Sequence, residues 1–290
     1  MRGHVTIAAV VLVAGLTAGG SPAQADPTSP SPAPSSQPAV PWSGLSESNG
    51  VAVDSAGNVY VTDFGHPDWG PRRPPIVGIR VVKYAPRSSP STTLSFPHLF
   101  TPVGVAVDGA GNVYVTDLDS NRVRKLAAGS SAPTSLPFAG VSKPLGVAAD
   151  SAGNVYVTDE INTQVVKLPA GSDTSTVLPF TGLHDPCGIA VDTGGNVYVA
   201  DHTAKQVVKL AVGSNTQTVL PFTGLETPGG VAVDNAGDVY VSDNDRVLKL
   251  AAGTSTQTVL PGSGRPRWLA VDKDRNVYIS GGGGGFQKFP

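Results

Sequence analysis

The chain has 290 residues, a formal net charge of −2 and 14% charged residues, with no basic run. That balance argues against nucleic acid as a partner, and no amphipathic helix supports binding to a membrane surface. Cys187 is the only cysteine, which excludes an intrachain disulfide, so stability has to come from packing.

In chain order, Arg2 and His4 precede an apolar run, Ile7–Ala18, and the small-residue site Ala23-Gln24-Ala25 follows. This is the pattern of a secretory signal peptide over residues 1–25, cleaved before Asp26. The apolar run has 12 residues, whereas a membrane-spanning helix needs about 20. Residues 26–39, "DPTSPSPAPSSQPA", are a Pro/Ser tether that cannot bury apolar surface and is expected to be extended and solvated. Residues 40–290 are long enough for one large domain.

That domain is repetitive. "GVAVDSAGNVYVTD" (Gly50–Asp63) returns from Gly104, Gly146, Gly188 and Gly230, and in worn form from Trp268. The first Asp of each copy falls at 54, 108, 150, 192, 234 and 272, so the spacings are 54, 42, 42, 42 and 38. In the third copy four short apolar segments stand out: Gly146–Ala149, Val155–Thr158, Gln164–Leu168 and Thr176–Phe180. Each is rich in Val, Leu, Tyr or Thr and bounded by turn residues, which predicts four antiparallel strands per unit. Six such units imply an all-β, six-bladed β-propeller, in which radial repetition leaves only short edges. A β-solenoid would need capped ends. Here the last unit stops at a third strand, Phe286–Phe289, while "AVPWSGL" (Ala39–Leu45) matches the fourth-strand string "TVLPFTGL" (Thr218–Leu225). The N-terminal strand is therefore expected to complete the last blade and close the ring.

The repeated letters read as scaffolding. Asp54 and its equivalents open a tight turn whose backbone N–H groups a carboxylate can accept, and Gly57 supplies a positive φ. The last copy has Arg275 at that Gly position, so its turn should be strained or different. Tyr60, Tyr114, Tyr156, Tyr198, Tyr240 and Tyr278 hold one position in the second strand and are expected to pack between blades. Gly50 and its equivalents begin the innermost strand, where backbones crowd the axis.

The string "GVAVDSAGNVYVTD", together with "VVKLAVGSNTQTVLPFTGL" (Val207–Leu225), resembles the NHL-repeat family of β-propellers. Within that family it is most similar to the extracellular sensor domain of the mycobacterial receptor serine/threonine kinase D. The resemblance covers Val40–Pro290 and implies a rigid extracellular propeller that binds a ligand or partner. It does not extend to a kinase: there is no Gly-rich phosphate loop followed by a strand Lys, and no His-Arg-Asp triplet.

Function is expected where the letters vary, on the face that carries the second-to-third-strand loops and the crossovers between blades. Around blades six and one, the insertion Phe64–Ile79 brings His66, Trp69, Arg72 and Arg73, and the crossover "GRPRW" brings Arg265, Arg267 and Trp268. Trp and Arg are typical binding anchors, and Trp268 replaces the innermost Gly, where it would narrow the channel mouth. Around blades three to five stand Glu160, His184, Asp185, Cys187, His202 and Glu226. These could ligate a metal or act as acid and base, but no HExxH, paired Cys or EF-hand spacing supports that. Solvated loop residues are the favoured reading, with no metal or cofactor. No Gly-x-Ser-x-Gly elbow appears in the domain, and the run Gly281–Gly285 lacks the Lys of a phosphate loop. Streptogramin B lyases resemble the chain in repeat length, but that resemblance implies seven blades and Glu where this chain has Asp63 and Asp117.

The leading expectation is a secreted, non-enzymatic, monomeric binding module for an extracellular protein or a small envelope ligand. The rival is a propeller lyase or hydrolase using the His184/His202 sector. Cys187 is expected to be a reduced thiol, partly shielded beneath the crossover Leu183–Gly188.

Overall fold

Alternation of side chains along short Val-rich strands decides how the blades stack. The computed structural model describes residues 44–65, 78–86, 90–260, 265–281 and 287–289. Among them are 23 strands and no helix. They form six antiparallel sheets: blade one spans Ser48–Leu94, blade two Pro102–Ser135, blade three Pro144–Val177, blade four Pro186–Val219, blade five Pro228–Leu260 and blade six Trp268–Phe289. In each of the first five the chain runs outward through four strands. The described residues of blade six form three.

The second strand of blade one, Val59–Asp63, is buried along its whole length because it has a neighbouring blade on each side. Its period of two sends alternate side chains into two different cores. Tyr60 packs with Val105, Val113 and Val115 of blade two. Val59 and Val61 pack with Ala270 and Tyr278 of blade six. The same division repeats around the ring, as "VYVTD" requires, and the last contact joins blade six to blade one. Each buried Val contributes roughly 1.5–3 kcal/mol. Residues 39–43, most of the segment expected to supply a fourth strand to blade six, lie outside the described residues. Leu45 packs against the cluster between blades six and one.

The Asp turns form as the sequence leads one to expect. Asp54 Oδ1 accepts the N–H groups of Ala56 and Asn58 at 3.0 and 2.8 Å. Gly57 has φ +81°. In blade six the same bonds form to Asp272, from Asp274 and Asn276, with Arg275 forced to φ 66°. The turn is conserved in shape and strained at one residue. Beyond this, the turn carboxylate serves the blade interface. Asp54 Oδ2 accepts the Tyr60 hydroxyl at 2.9 Å, so the polar tip of a buried ring is satisfied. Burial, and then this bond, push the Tyr60 hydroxyl well above its ordinary pKa. Lys83, directly across the ladder from Tyr60, holds its Nζ 5.3 Å from the ring centroid. All six blades repeat this Lys–Tyr pair.

Two further devices hold the ring. Thr62 Oγ1 accepts the Gly50 N–H at 2.7 Å and donates to the Val103 carbonyl of the next blade at 2.8 Å. Thr116, Thr158 and Ser242 make the same clasp, and Ser280 donates to the Asn49 carbonyl across the closing seam. Blade four has Ala200 here, which lacks the hydroxyl. The innermost glycines permit the approach: a Cβ on Gly50 would lie 2.3 Å from the Val103 carbonyl oxygen. Second, Asp63, Asp117, Asp159, Asp201 and Asp243 are completely buried, and each accepts N–H groups of the crossover into its own blade. Blade six has Gly281 at this position.

The innermost strand of blade three, Pro144–Ala149, starts earlier than the expected Gly146–Ala149. Its outer strand, Thr176–Val177, is shorter than the expected Thr176–Phe180. There the Leu178 N–H still reaches the Val165 carbonyl, but the Phe180 N–H turns back to the Leu178 carbonyl at 2.8 Å, which ends the ladder.

Candidate functional site

Where the innermost strand enters the ring, its register against the second strand breaks. In blade two the break lies between Pro102 and Val105, and blades one, three, four and five break at the same place. Such a bulge frees a residue from the ladder and re-aims it. In these five blades the freed positions, immediately before the innermost Gly, are Asn49, Val103, Leu145, Cys187 and Gly229; Arg267 holds the equivalent place in blade six, whose register is unbroken, and all six line one cavity. A second tier comes from the residue after the buried Asp: Leu118, Glu160, His202 and Asn244. With Asp185, Thr227, Arg265 and Trp268, these tiers bound about 760 Å³ at the mouth of the axial channel.

The buried aspartates hold this wall. In blade four, Asp201 accepts N–H bonds from His184, Asp185 and Ala204 at 2.9–3.1 Å. The His202 N–H donates to the Asp185 carbonyl at 2.9 Å, which ties the two tiers together. Blade six is built differently. With Gly281 in place of the carboxylate, the Arg267 side chain lies over Gly281; a Cβ there would stand 2.7 Å from Arg267 Cβ and Cγ. The Arg267 N–H bonds to the Ser280 carbonyl instead. Loss of the aspartate is therefore what seats an arginine at the mouth.

The wall is electrically two-sided. Arg265 and Arg267 are exposed on blade six, and neither forms an ion pair among the described residues. Glu160 and Asp185, both half-buried on blades three and four, are likewise without an ion pair there. Cys187 is a free thiol, half-buried, with Sγ 3.7 Å from Asp185 Oδ1. Burial, and then the negative charges of Asp185 and Glu160, push it up to about 12, so it stays protonated. It lies at the start of the innermost strand, in the cavity wall rather than beneath the crossover, because the strand begins at Pro186.

Of the residues singled out from sequence, Arg265, Arg267 and Trp268 are brought together with Glu160, Asp185, Cys187 and His202 around this single cavity. The two groups that sequence set apart on one face thus share a lumen. Trp268 both lines the mouth and packs, half-buried, against the core between blades six and one. His184 is exposed and outside the lining, as is Glu226, whose Oε2 accepts Asn244 Nδ2 at 3.2 Å. His66, Trp69, Arg72 and Arg73 lie outside the described residues. Among the described residues, no group of three or more His, Cys, Asp or Glu side chains is placed to hold a metal ion. Sequence reasoning passed over Asn49, Val103, Leu118, Leu145 and Asn244. Their signal was present: the letter before each innermost Gly (Asn49, Val103, Leu145) and the letter after each buried Asp (Leu118, Asn244) change from copy to copy while the repeat around them holds.

Ring, blades and axial cavity define a six-bladed β-propeller with one asymmetric mouth. The NHL-repeat family profile matches residues 101–126, which span the first three strands of blade two in full. No curated protein matches the chain. Among solved structures, it is similar to a gluconolactonase from Xanthomonas campestris, at 16% identity over 85% of this chain and 86% of that one, with a TM-score of 0.69. A chain of a nidogen/laminin complex matches at 19% identity over 77% of this chain and 84% of its own, TM-score 0.66. Virginiamycin B lyase from Staphylococcus aureus matches at 10% identity over 84% of each chain, TM-score 0.63. At these identities the likeness is one of fold, and it reaches binding proteins and enzymes alike.

Proposed function

We propose that the chain is a secreted, non-enzymatic binding module whose ligand, a small molecule or a projecting part of a partner protein, sits in the axial cavity. One observation carries this reading: in a molecule that repeats its letters wherever they support the fold, six consecutive blades place six different residues at the one position, just before the innermost Gly or its equivalent, that faces the cavity. Symmetric positions keep the ring, and the asymmetric ones supply recognition. The volume falls within the range of small-molecule sites, about 300–1,000 Å³.

An enzymatic reading is favoured by the acid, imidazole and thiol that share the cavity, and by the lyase and gluconolactonase among the similar folds. Against it, no side-chain hydrogen bond orients the His202 ring among the described residues, and the Cys187 thiol is held protonated, which suits neither base nor nucleophile. The test is a fragment screen followed by amide NMR on the full-length chain. Shifts should concentrate at Val103, Leu145, Cys187, Gly229 and Trp268. Perturbations gathered elsewhere would remove the cavity from consideration. Turnover in a lyase and hydrolase panel, abolished by His202→Ala, would favour the enzyme.

A further inference from the structure

The cavity carries unpaired charges of both signs that face each other and do not meet. In a six-bladed ring, blade three stands across the axis from blade six. Glu160 therefore opposes Arg267 over the lumen, with Asp185 one blade further round and Arg265 beside Arg267. Among the described residues, no guanidinium–carboxylate pair closes across this gap. Half-buried carboxylates without a cation partner are costly to keep, as are like charges crowded at one wall. A lone anion would be drawn to blade six and repelled by blades three and four, and a lone cation would meet the reverse.

Resting on the reading of this cavity as a ligand site, we infer that the ligand is a small dipolar molecule. Its anionic end, a carboxylate or phosphate, is held by Arg265 and Arg267; its ammonium end is held by Glu160 and Asp185. The two charges must stand at opposite ends of the ligand, because the two walls that hold them lie across the lumen from each other. Arginine suits the anionic end through its planar fork of donors. Beside the arginines Trp268 lines the mouth, while Val103, Leu118 and Leu145 line the blade two–three side for an apolar or part-aromatic body. The Cys187 thiol, in the same wall as Asp185, is pushed up by burial and then by the negative charges of Asp185 and Glu160, which an ammonium would offset.

Short peptides with free termini and amino-sugar phosphates share this chemistry, and calorimetry on the full-length chain separates them. One arm uses trialanine, N-acetyl-trialanine and trialaninamide. The other uses glucosamine 6-phosphate and its N-acetyl form. Expected is binding of at least one zwitterion, with each capped form weaker by about tenfold or more. Arg267→Ala should then weaken the zwitterion by about tenfold and leave the cation-only form unchanged, while Glu160→Gln should do the converse with the anion-only form. Melting temperatures of both variants serve as the folding check. Which arm binds identifies the source. Capped forms that bind as well as their parents, variants that bind like wild type, or no binding of either zwitterion at about 10 mM would each overturn the dipolar ligand. The cavity reading falls separately, only if the fragment screen also yields no shifts at the cavity amides.

Discussion

Thr158 is the sharpest place to test how the ring is held. Its Oγ1 accepts the Gly146 N–H at 2.8 Å and donates to the Cys187 carbonyl of the next blade at 2.8 Å, and the residue is fully buried. Thr158→Val keeps the shape and the strand preference but removes both bonds. Leaving a buried polar group unsatisfied costs about 1–3 kcal/mol, and here a donor and an acceptor are stranded together. The added methyl returns about 0.8 kcal/mol of apolar burial. The net loss should be about 2–4 kcal/mol, a fall in melting temperature of roughly 5–15 °C for a domain of this size. Urea unfolding with an unchanged m-value, paired with calorimetry, measures it. The complement is Ala200→Ser, which places a hydroxyl at the one blade that lacks the clasp and should add up to about 1 kcal/mol. A Thr158→Val protein within about 0.5 kcal/mol of wild type would refute the clasp as a source of stability.

Gly188→Ala should abolish folding or precipitate the protein, because the new Cβ would lie 2.4 Å from the Gly229 carbonyl oxygen and 2.7 Å from Gly230 Cα, both backbone. The control Gly78→Ala meets nothing within 4 Å and should be neutral to within about 0.5 kcal/mol; soluble expression and melting temperature compare them. Alkylation of Cys187 by iodoacetamide should be at least about 100-fold slower than that of free cysteine near pH 8.5 and keep rising beyond pH 10, since its pKa is raised from 9.0 to about 12. The sign for stability follows: the folded state keeps this proton while the unfolded state releases it, so the Cys187 contribution is present below about pH 9 and is lost as pH rises toward 12. Removing residues 26–45 should lower the melting temperature far more than removing residues 26–38, because only the longer cut takes Leu45 from the core between blades six and one; equal values would rule out closure by the N-terminal strand.

Sequence alone determined the architecture. A 42-residue period, Val-rich segments of four or five residues, and turn letters at constant offsets admit little besides radially stacked four-stranded blades, because strand alternation and tight-turn geometry are local. The Asp turns, the crowded axial glycines and the interblade tyrosines were legible for the same reason. Tertiary structure decided the rest. Asp63 and its equivalents looked like ordinary strand ends, yet their partners lie 16 or 17 residues earlier in crossovers that only the closed ring brings near. Arg267 is seated over Gly281, a neighbour chosen by strand pairing rather than by sequence proximity. The charges on blades three, four and six were visible as letters, but whether they form separate sectors or one lumen depends on the width of the ring. That width is set by six interblade cores packed to contact, a distance that no local pattern encodes.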